Sequence, residues 1–258
     1  MVFSKLRGDR SALSDLRTSG CMKMLFPRGD GKELTGILLN TAGGVTGGDH
    51  LSLHAGAKAG SHLRLSTQAS ERIYRAQPGE VGQIETDLSA ADGARLDWLP
   101  QETILFDRAA LIRRLTVNLS GNARLLLAEP LIFGRAAMGE TVDAAQLTDQ
   151  IRVIRDGSLI FADTMRLQGD LRAHMARTAI GAGAGAMATV LLATTTDEAD
   201  SLLPQIRALL PDSAGASVIR PGLLYLRLLS LDGFELRKTL LPVLTCLNGG
   251  NLPRTWMI

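Results

Sequence analysis

Three stretches of this chain repeat one another at an interval near thirty residues, and that interval limits what the chain can fold into. Gly60-Ser61-His62-Leu63-Arg64-Leu65, Gly93-Ala94-Arg95-Leu96-Asp97-Trp98 and Asn122-Ala123-Arg124-Leu125-Leu126-Leu127 align with one another. Each unit runs on into a glutamate segment. These are Glu71-Arg72-Ile73-Tyr74-Arg75, Glu102-Thr103-Ile104-Leu105-Phe106-Asp107-Arg108 and Glu129-Pro130-Leu131-Ile132-Phe133-Gly134-Arg135. Positions 71, 102 and 129 place the glutamates 31 and then 27 residues apart. The connecting runs also match, Ile84-Glu85-Thr86-Asp87-Leu88-Ser89 against Leu115-Thr116-Val117-Asn118-Leu119-Ser120. Short runs alternating at period two, separated by Gly, Asn and Asp, are a β pattern. A period near thirty with two or more strands per unit predicts stacked β-coils, a solenoid-like or β-helical body over about residues 37–140.

The flanks carry other signals. Residues 1–35 are polar and poorly periodic and predict no element. Ile37-Leu38-Leu39-Asn40 reads as a strand entering the glycine-rich turn Gly43-Gly44-Val45-Thr46-Gly47-Gly48-Asp49. A hairpin is expected around Asp156-Gly157. Leu202, Leu203, Ile206, Leu209 and Leu210 predict a helix over 197–210, with Thr196 as N-cap and Pro211 as stop. Leu223–Ser230 reads as a buried strand, and 232–247 as a second helix, weakened or kinked by Pro242. The expected fold is mainly β, with stacked sheets, about two helices and a single domain over 1–258.

The repeated glutamates fall on apolar parity. If Leu96 to Phe106 is one unbroken strand, Leu96, Trp98, Glu102, Ile104 and Phe106 share a face, as do Leu125, Leu127, Glu129 and Leu131. Buried carboxylates are costly unless paired or wet. In stacked coils, equivalent positions sit roughly 4.8 Å apart. Glu71, Glu102 and Glu129 are therefore expected in a column lining an internal polar channel. The alternative is that each pairs with a neighbouring arginine or caps a turn.

Other chemistry is sparse. The glycine turn lacks the Lys-Ser or Lys-Thr of a phosphate loop, and Ile180-Gly181-Ala182-Gly183-Ala184-Gly185 lacks a βαβ context for dinucleotide binding. His50 and His54 flank the turn beside Asp49, without a third soft ligand; nickel accepts imidazole or carboxylate, which keeps Asp49 and His50 as candidates. No G-x-S-x-G or H-E-x-x-H occurs. Two cysteines, Cys21 and Cys246, make neither a disulfide framework nor a zinc site, so a reducing compartment is the default. A net charge of +2 argues for neither nucleic acid nor membrane partners. With no signal core and no apolar run of roughly 18 residues, the cytoplasm is expected.

Several stretches resemble the UreD (UreH) family of urease accessory proteins. Asn40-Thr41-Ala42-Gly43-Gly44-Val45-Thr46-Gly47-Gly48-Asp49 resembles its N-x-x-G-G-hydrophobic-x-G-G-D signature. Pro100-Gln101-Glu102-Thr103-Ile104-Leu105-Phe106 is similar to its P-Q-x-x-hydrophobic-hydrophobic-F strand, and Gly134-Arg135-Ala136-Ala137-Met138-Gly139-Glu140 to its G-R-x-A-x-G-E segment. Thr67 through Tyr74-Arg75 and Asn251-Leu252-Pro253-Arg254-Thr255-Trp256 also match, in family order over about residues 20–258. The front departs, since most relatives carry a further strand before Ser4-Lys5-Leu6.

The resemblance implies a β-helix-like fold and a non-catalytic scaffold joining UreF and the GTPase UreG to apo-urease. It also implies that nickel, bound only transiently and with no permanent cofactor, passes through an internal channel. Asp49, His50, Glu102, Asp107 and Glu140 are the expected nickel-path residues. Glu71, Glu129, Arg135 and Tyr74 are expected channel or structural residues, and Gly43, Gly44, Gly47 and Gly48 shape the turn. Oxygen ligands release a divalent ion where bundled thiolates would trap it. Two rival readings are a β-solenoid carbohydrate-active enzyme, for which ten aromatics are few, and a stand-alone nickel-binding protein, for which four histidines are few.

Overall fold

In the computed structural model, which describes residues 1–29, 31–135, 139 and 141–257, the thirty-residue interval is the length of one turn of a two-sheet coil. Strands β4 (Leu34–Asn40), β6 (His62–Thr67), β9 (Arg95–Trp98) and β12 (Arg124–Phe133) lie parallel in the first sheet. Strands β5 (His50–Ala57), β8 (Gly82–Ala90), β11 (Ala110–Leu119) and β13 (Ala144–Arg155) lie parallel in the second. The chain alternates between sheets, and short strands β7 (Glu71–Ile73) and β10 (Thr103–Leu105) lengthen the first. Leu63, Leu96 and Leu125 stack in register, as do Leu65, Trp98 and Leu127. The connecting runs stack two residues away from the sequence alignment, with Thr86 rather than Ile84 opposite Leu115. A slip of two keeps each side chain on its face.

The N-terminal segment, where the pattern places no element, forms β1 (Val2–Arg7), β2 (Arg10–Leu16) and β3 (Met22–Leu25). β1 and β2 extend the second sheet and β3 edges the first. Only Val2 and Ser4 of β1 are buried, and no residue of β2 or β3 is. A mostly solvated edge shows no clean apolar alternation, which is why the pattern hid these strands.

At the other end the hairpin of β13 and β14 (Ser158–Asp170) turns through Asp156 and Gly157, both at positive φ. The first sheet continues antiparallel through β15 (Ala186–Ala193), β17 (Leu223–Ser230) and β16 (Ala214–Arg220).

The described residues hold three α-helices rather than two. α1 (Leu171–Ala176) is a turn and a half, too short to show a period. α2 (Thr196–Arg207) starts at the residue expected to cap it. Thr195, not Thr196, accepts from the Glu198 amide, and Thr195 with Glu198 has the spacing of a capping box. α3 (Gly233–Asn248) is capped by Asp232, passes through Pro242, and ends at Gly249 with φ +73°.

Two apolar clusters fill the space between the sheets. One gathers Leu63, Leu96, Leu115, Val117 and Leu125; the other Ile73, Leu105, Leu111, Leu131 and Leu147. A third, around Leu126, Val190, Leu240 and Trp256, lies beneath α2 and α3. None of the described helices is long and apolar enough to cross a membrane.

Candidate functional site

A belt of polar side chains separates the two inter-sheet clusters. Along β11 the inward positions read Leu111, Arg113, Leu115; along β13, Leu147, Asp149, Ile151; along β12, Leu127, Glu129, Leu131. One charged residue per strand therefore sits at the same level, and β11 and β13 pair Arg113 directly with Asp149.

Arg113 holds the belt together. Its Nε donates to Asp149 Oδ1 at 2.9 Å and its Nη2 to Asp149 Oδ2 at 2.6 Å. Its Nη1 lies 2.6 Å from Glu129 Oε2 and donates to Thr103 Oγ1 at 3.0 Å. Trp98 Nε1 donates to the other oxygen of Glu129 at 2.6 Å. All three ionisable groups are buried.

Burial pushes the Glu129 carboxyl above the usual range, and neighbouring Asp149 adds to the effect against the pull of Arg113 and Trp98. Burial also works against the Arg113 charge, but the two carboxylates more than offset it and hold the guanidinium more firmly protonated than usual. The shifts are consistent because two acids share one base.

Against this belt lies a half-open, mostly apolar pocket of about 70 Å³, room for about two waters, with Glu85 also on its wall. Glu71, Gln101, Thr103, Arg113, Trp98 and Glu129 line it. Glu71 accepts from Asn40 Nδ2 at 3.1 Å, and burial raises its pKa. The cavity shares Thr67, Glu71, Met22 and Leu38 with a surface cleft of about 160 Å³ that also touches Asn40 and Gly43. On another side it shares Leu51, Ser52 and Leu53 with a slot of about 480 Å³, which His50 and His54 flank.

The expected column of three glutamates does not form. Glu71 stands opposite Thr103, and Thr103 opposite Leu131, so each glutamate lies one register step from the next. A one-residue slip reverses the face. The strand assumed continuous from Leu96 to Phe106 is also broken between Trp98 and Thr103. Glu71 and Glu129 consequently line the cavity, while Glu102 turns to α3. Its carboxylate accepts from Arg237 Nη1 at 2.8 Å and from Ser70 Oγ at 3.1 Å.

The other expected residues lie apart from the cavity lining. Asp49 Oδ2 accepts the Thr46 amide and closes the glycine turn. His50 Nε2 lies 3.3 Å from Glu85 on the exposed face of the second sheet. Asp107 Oδ1 accepts the amides of Asp143 and Ala144 at 3.1 Å. Tyr74 donates to the Gly43 carbonyl and meets Phe106 edge-on, with Arg135 stacked on the same Phe106 ring at 4.4 Å. In the turn, Gly43 and Gly48 have φ near +81°, and a Cβ on Gly44 would stand 2.3 Å from the Tyr74 ring. Gly47 is closely approached by Glu80. Glu140 lies outside the described residues.

Sequence reasoning passed over Arg113 and Asp149, and read Trp98 only as an apolar neighbour on the glutamate face. The signal was present: a charged residue at inward parity between leucines in Leu111-Ile112-Arg113-Arg114-Leu115, and Asp149 likewise between Leu147 and Ile151. Among the described residues no cluster of three or more His, Cys, Asp or Glu side chains is placed to hold a metal.

Fold and belt together define a class: a solenoid-like β protein whose interior acids are bonded by arginine, amide and indole donors. Comparison with known proteins narrows the class. The chain belongs to the UreD urease accessory protein family, whose model matches residues 1–257. It is 52% identical to the urease accessory protein UreD of Ruegeria pomeroyi over 257 residues, covering 100% of this chain and 99% of that one. The UreD of Ruegeria sp. strain TM1040 is 48% identical over 266 residues, covering 100% of this chain and 89% of that protein. That of Roseobacter denitrificans is 45% identical over 257 residues, covering 100% and 93%.

Proposed function

We infer that this protein acts in urease maturation as a non-catalytic scaffold that joins UreF and the GTPase UreG to apo-urease in the cytoplasm, and that nickel crosses its interior as cargo. Membership of the urease accessory family supports the role. The observation that supports the interior route is the pocket between the sheets, mostly apolar but with Glu71 and Glu129 on its wall and Glu71 shared with the surface cleft. Carboxylate oxygens bind a divalent ion and exchange it. In this reading Glu71 and Glu129 face the ion. Asp49 and the glycine turn shape the cleft, and Glu102 holds α3 to the coil.

The test is co-expression with the urease structural and accessory proteins, followed by a pull-down and a urease assay. Glu71→Ala is expected to lower urease activation several-fold while the complex still assembles. Full activation by Glu71→Ala and by the double variant with Glu129→Gln would remove the interior route. Asp49→Ala and Glu140→Gln, run beside them, ask the same of the remaining acidic candidates.

A further inference from the structure

A scaffold needs a surface that grips another protein, and one corner of the first sheet is built as such a surface. On its outer face Arg72 stands opposite Ile104, and Ile104 opposite Ile132. Tyr74 and Phe106 come two residues later on the same face. Their rings meet edge to face, with centroids 5.0 Å apart, and Arg135 lies over Phe106 at 4.4 Å. Gly44 makes room for this row. A Cβ there would stand 2.3 Å from the Tyr74 ring and 2.6 Å from the Arg72 carbonyl oxygen. The aromatic platform, rather than the turn's own dihedral angles, requires glycine at that position.

The start of α3 adds apolar side chains beside the platform. Gly233 presses on Ile132, where a Cβ would come within 2.5 Å of the isoleucine side chain. That approach sets the first turn of α3 against the sheet and leaves Leu231 and Phe234 outside it, at 76% and 68% exposure. Lys238 lies 4.4 Å over the Phe234 ring. The Gly185 amide donates to the Leu231 carbonyl at 3.1 Å, and Gly185 also lines a cleft of about 220 Å³ walled by Phe133, Val142, Leu171 and Met175. One exposed apolar residue needs no explanation, but such a group beside aromatic rings and a cleft marks an interaction site.

Charge selects the occupant. Arg72 and Arg75 are exposed, and neither enters a salt bridge among the described residues. Nearby acids are engaged within the chain. Asp49, Asp107 and Asp232 accept backbone amides, and Glu235 pairs with Lys238 at 2.6 Å. A second copy docked about a two-fold axis would bring two sets of these arginines into one interface, which like charges oppose. We propose that this corner docks an acidic amphipathic segment of a partner protein. Its apolar side chains cover Phe106, Leu231 and Phe234, and its carboxylates meet Arg72 and Arg75. Aromatic and arginine side chains fixed before contact are the groups that carry most binding energy at interfaces. The proposal rests on the scaffold reading above and names the surface that reading needs.

The test uses the tagged full chain co-expressed with UreF, UreG and apo-urease. Phe234→Asp is expected to lower the retention of one of these proteins at least tenfold while the Tm stays at the wild-type value. An acid suits the first turn of a helix, so the variant should fold. Arg72→Glu is expected to lower retention of the same protein several-fold. Wild-type retention should weaken as salt rises from about 0.1 to about 0.5 M, and Arg72→Glu should flatten that dependence. Met257→Asp, an equally exposed apolar position outside this corner, is the control and should retain everything.

Wild-type retention by both Phe234→Asp and Arg72→Glu would overturn the docking surface and leave the scaffold reading standing. An equal loss in Met257→Asp would overturn it too. A wild-type chain that retains none of the proteins would remove the scaffold reading, and the surface with it. Retention of an untagged copy of this chain, lost in Phe234→Asp, would replace the acidic partner with a second copy and overturn the proposed occupant.

Discussion

Two buried ionic clusters sit on opposite faces of the first sheet, and they are charged in opposite senses. Between the sheets, Arg113 serves two acids. On the outer face, under the end of α3, Asp97 is wholly buried and accepts from His62 at 2.7 Å, Arg95 at 3.0 Å and Arg64 at 3.4 Å. Burial alone would raise the Asp97 pKa, but its basic neighbours overcome this and hold it well below the usual carboxylate range. Arg64 and Arg95 also donate to the Asn248 side chain, and Arg124 to the Leu247 carbonyl, so the outer cluster anchors the α3 C-terminus. An acid with surplus donors fastens a helix. An acid that shares its one arginine with a second acid carries less compensation for its burial.

The largest effect should come from breaking the outer cluster. Asp97→Ala takes their shared acid from buried Arg64, which keeps Glu33, and from part-exposed Arg95 and His62, and is expected to cost about 3 kcal/mol in urea unfolding. A loss under about 1 kcal/mol would show that the outer cluster fastens nothing.

In the inner belt the sign reverses. Glu129→Gln keeps the shape and relieves an undercompensated charge, leaving Arg113 matched to Asp149 alone. It gives back part of that gain by setting its NH2 against one donor, Trp98 Nε1 or Arg113 Nη1. It is expected to stabilise the protein by about 1 kcal/mol at neutral pH, read as a higher Tm. A destabilisation of that size would place Glu129 with Asp97 as a structural acid.

Acidity sharpens the contrast. Asp97 has a depressed folded pKa, so its contribution is present above the unfolded value near 3.8 and is lost as pH falls below it. Glu129 has a raised folded pKa, so its share of stability is present below the unfolded value near 4.5 and is lost as pH rises. The Tm advantage of Glu129→Gln over wild type is therefore expected to widen on going from pH 4.5 upward, while the deficit of Asp97→Asn narrows below pH 3.8.

The smallest effect is expected outside both clusters. His50 and Glu85 are about half exposed, and Glu85→Gln should shift stability by less than about 0.5 kcal/mol.

The coil was legible because stacking in register needs like residues at like positions, and Leu63, Leu96 and Leu125 satisfy that need. Glu129 was legible as an inward acid from its parity between Leu127 and Leu131. The belt was not legible as a unit. Arg113 and Glu129 lie on different sheets of the same turn, and no periodic signal records which residues face each other across a core. The glutamate column was misread because sequence alignment matched residue types where the backbone matched hydrogen bonds. The first segment escaped because strands such as β2 bury none of their residues and leave no alternation to detect.

Leu127 pairs with Trp98 and Leu131 with Thr103, so β12 spans in four steps what the neighbouring turn spans in five. That single surplus residue turns Glu102 toward Arg237 and away from the interior. Deleting one position between Trp98 and Glu102 would remove the surplus and leave Glu102 three steps past Trp98, opposite Pro130 as it is now and still facing α3. The spare residue is thus slack taken up in the break between β9 and β10, and it lets a type-for-type repeat in the sequence point its acids to opposite sides of one sheet.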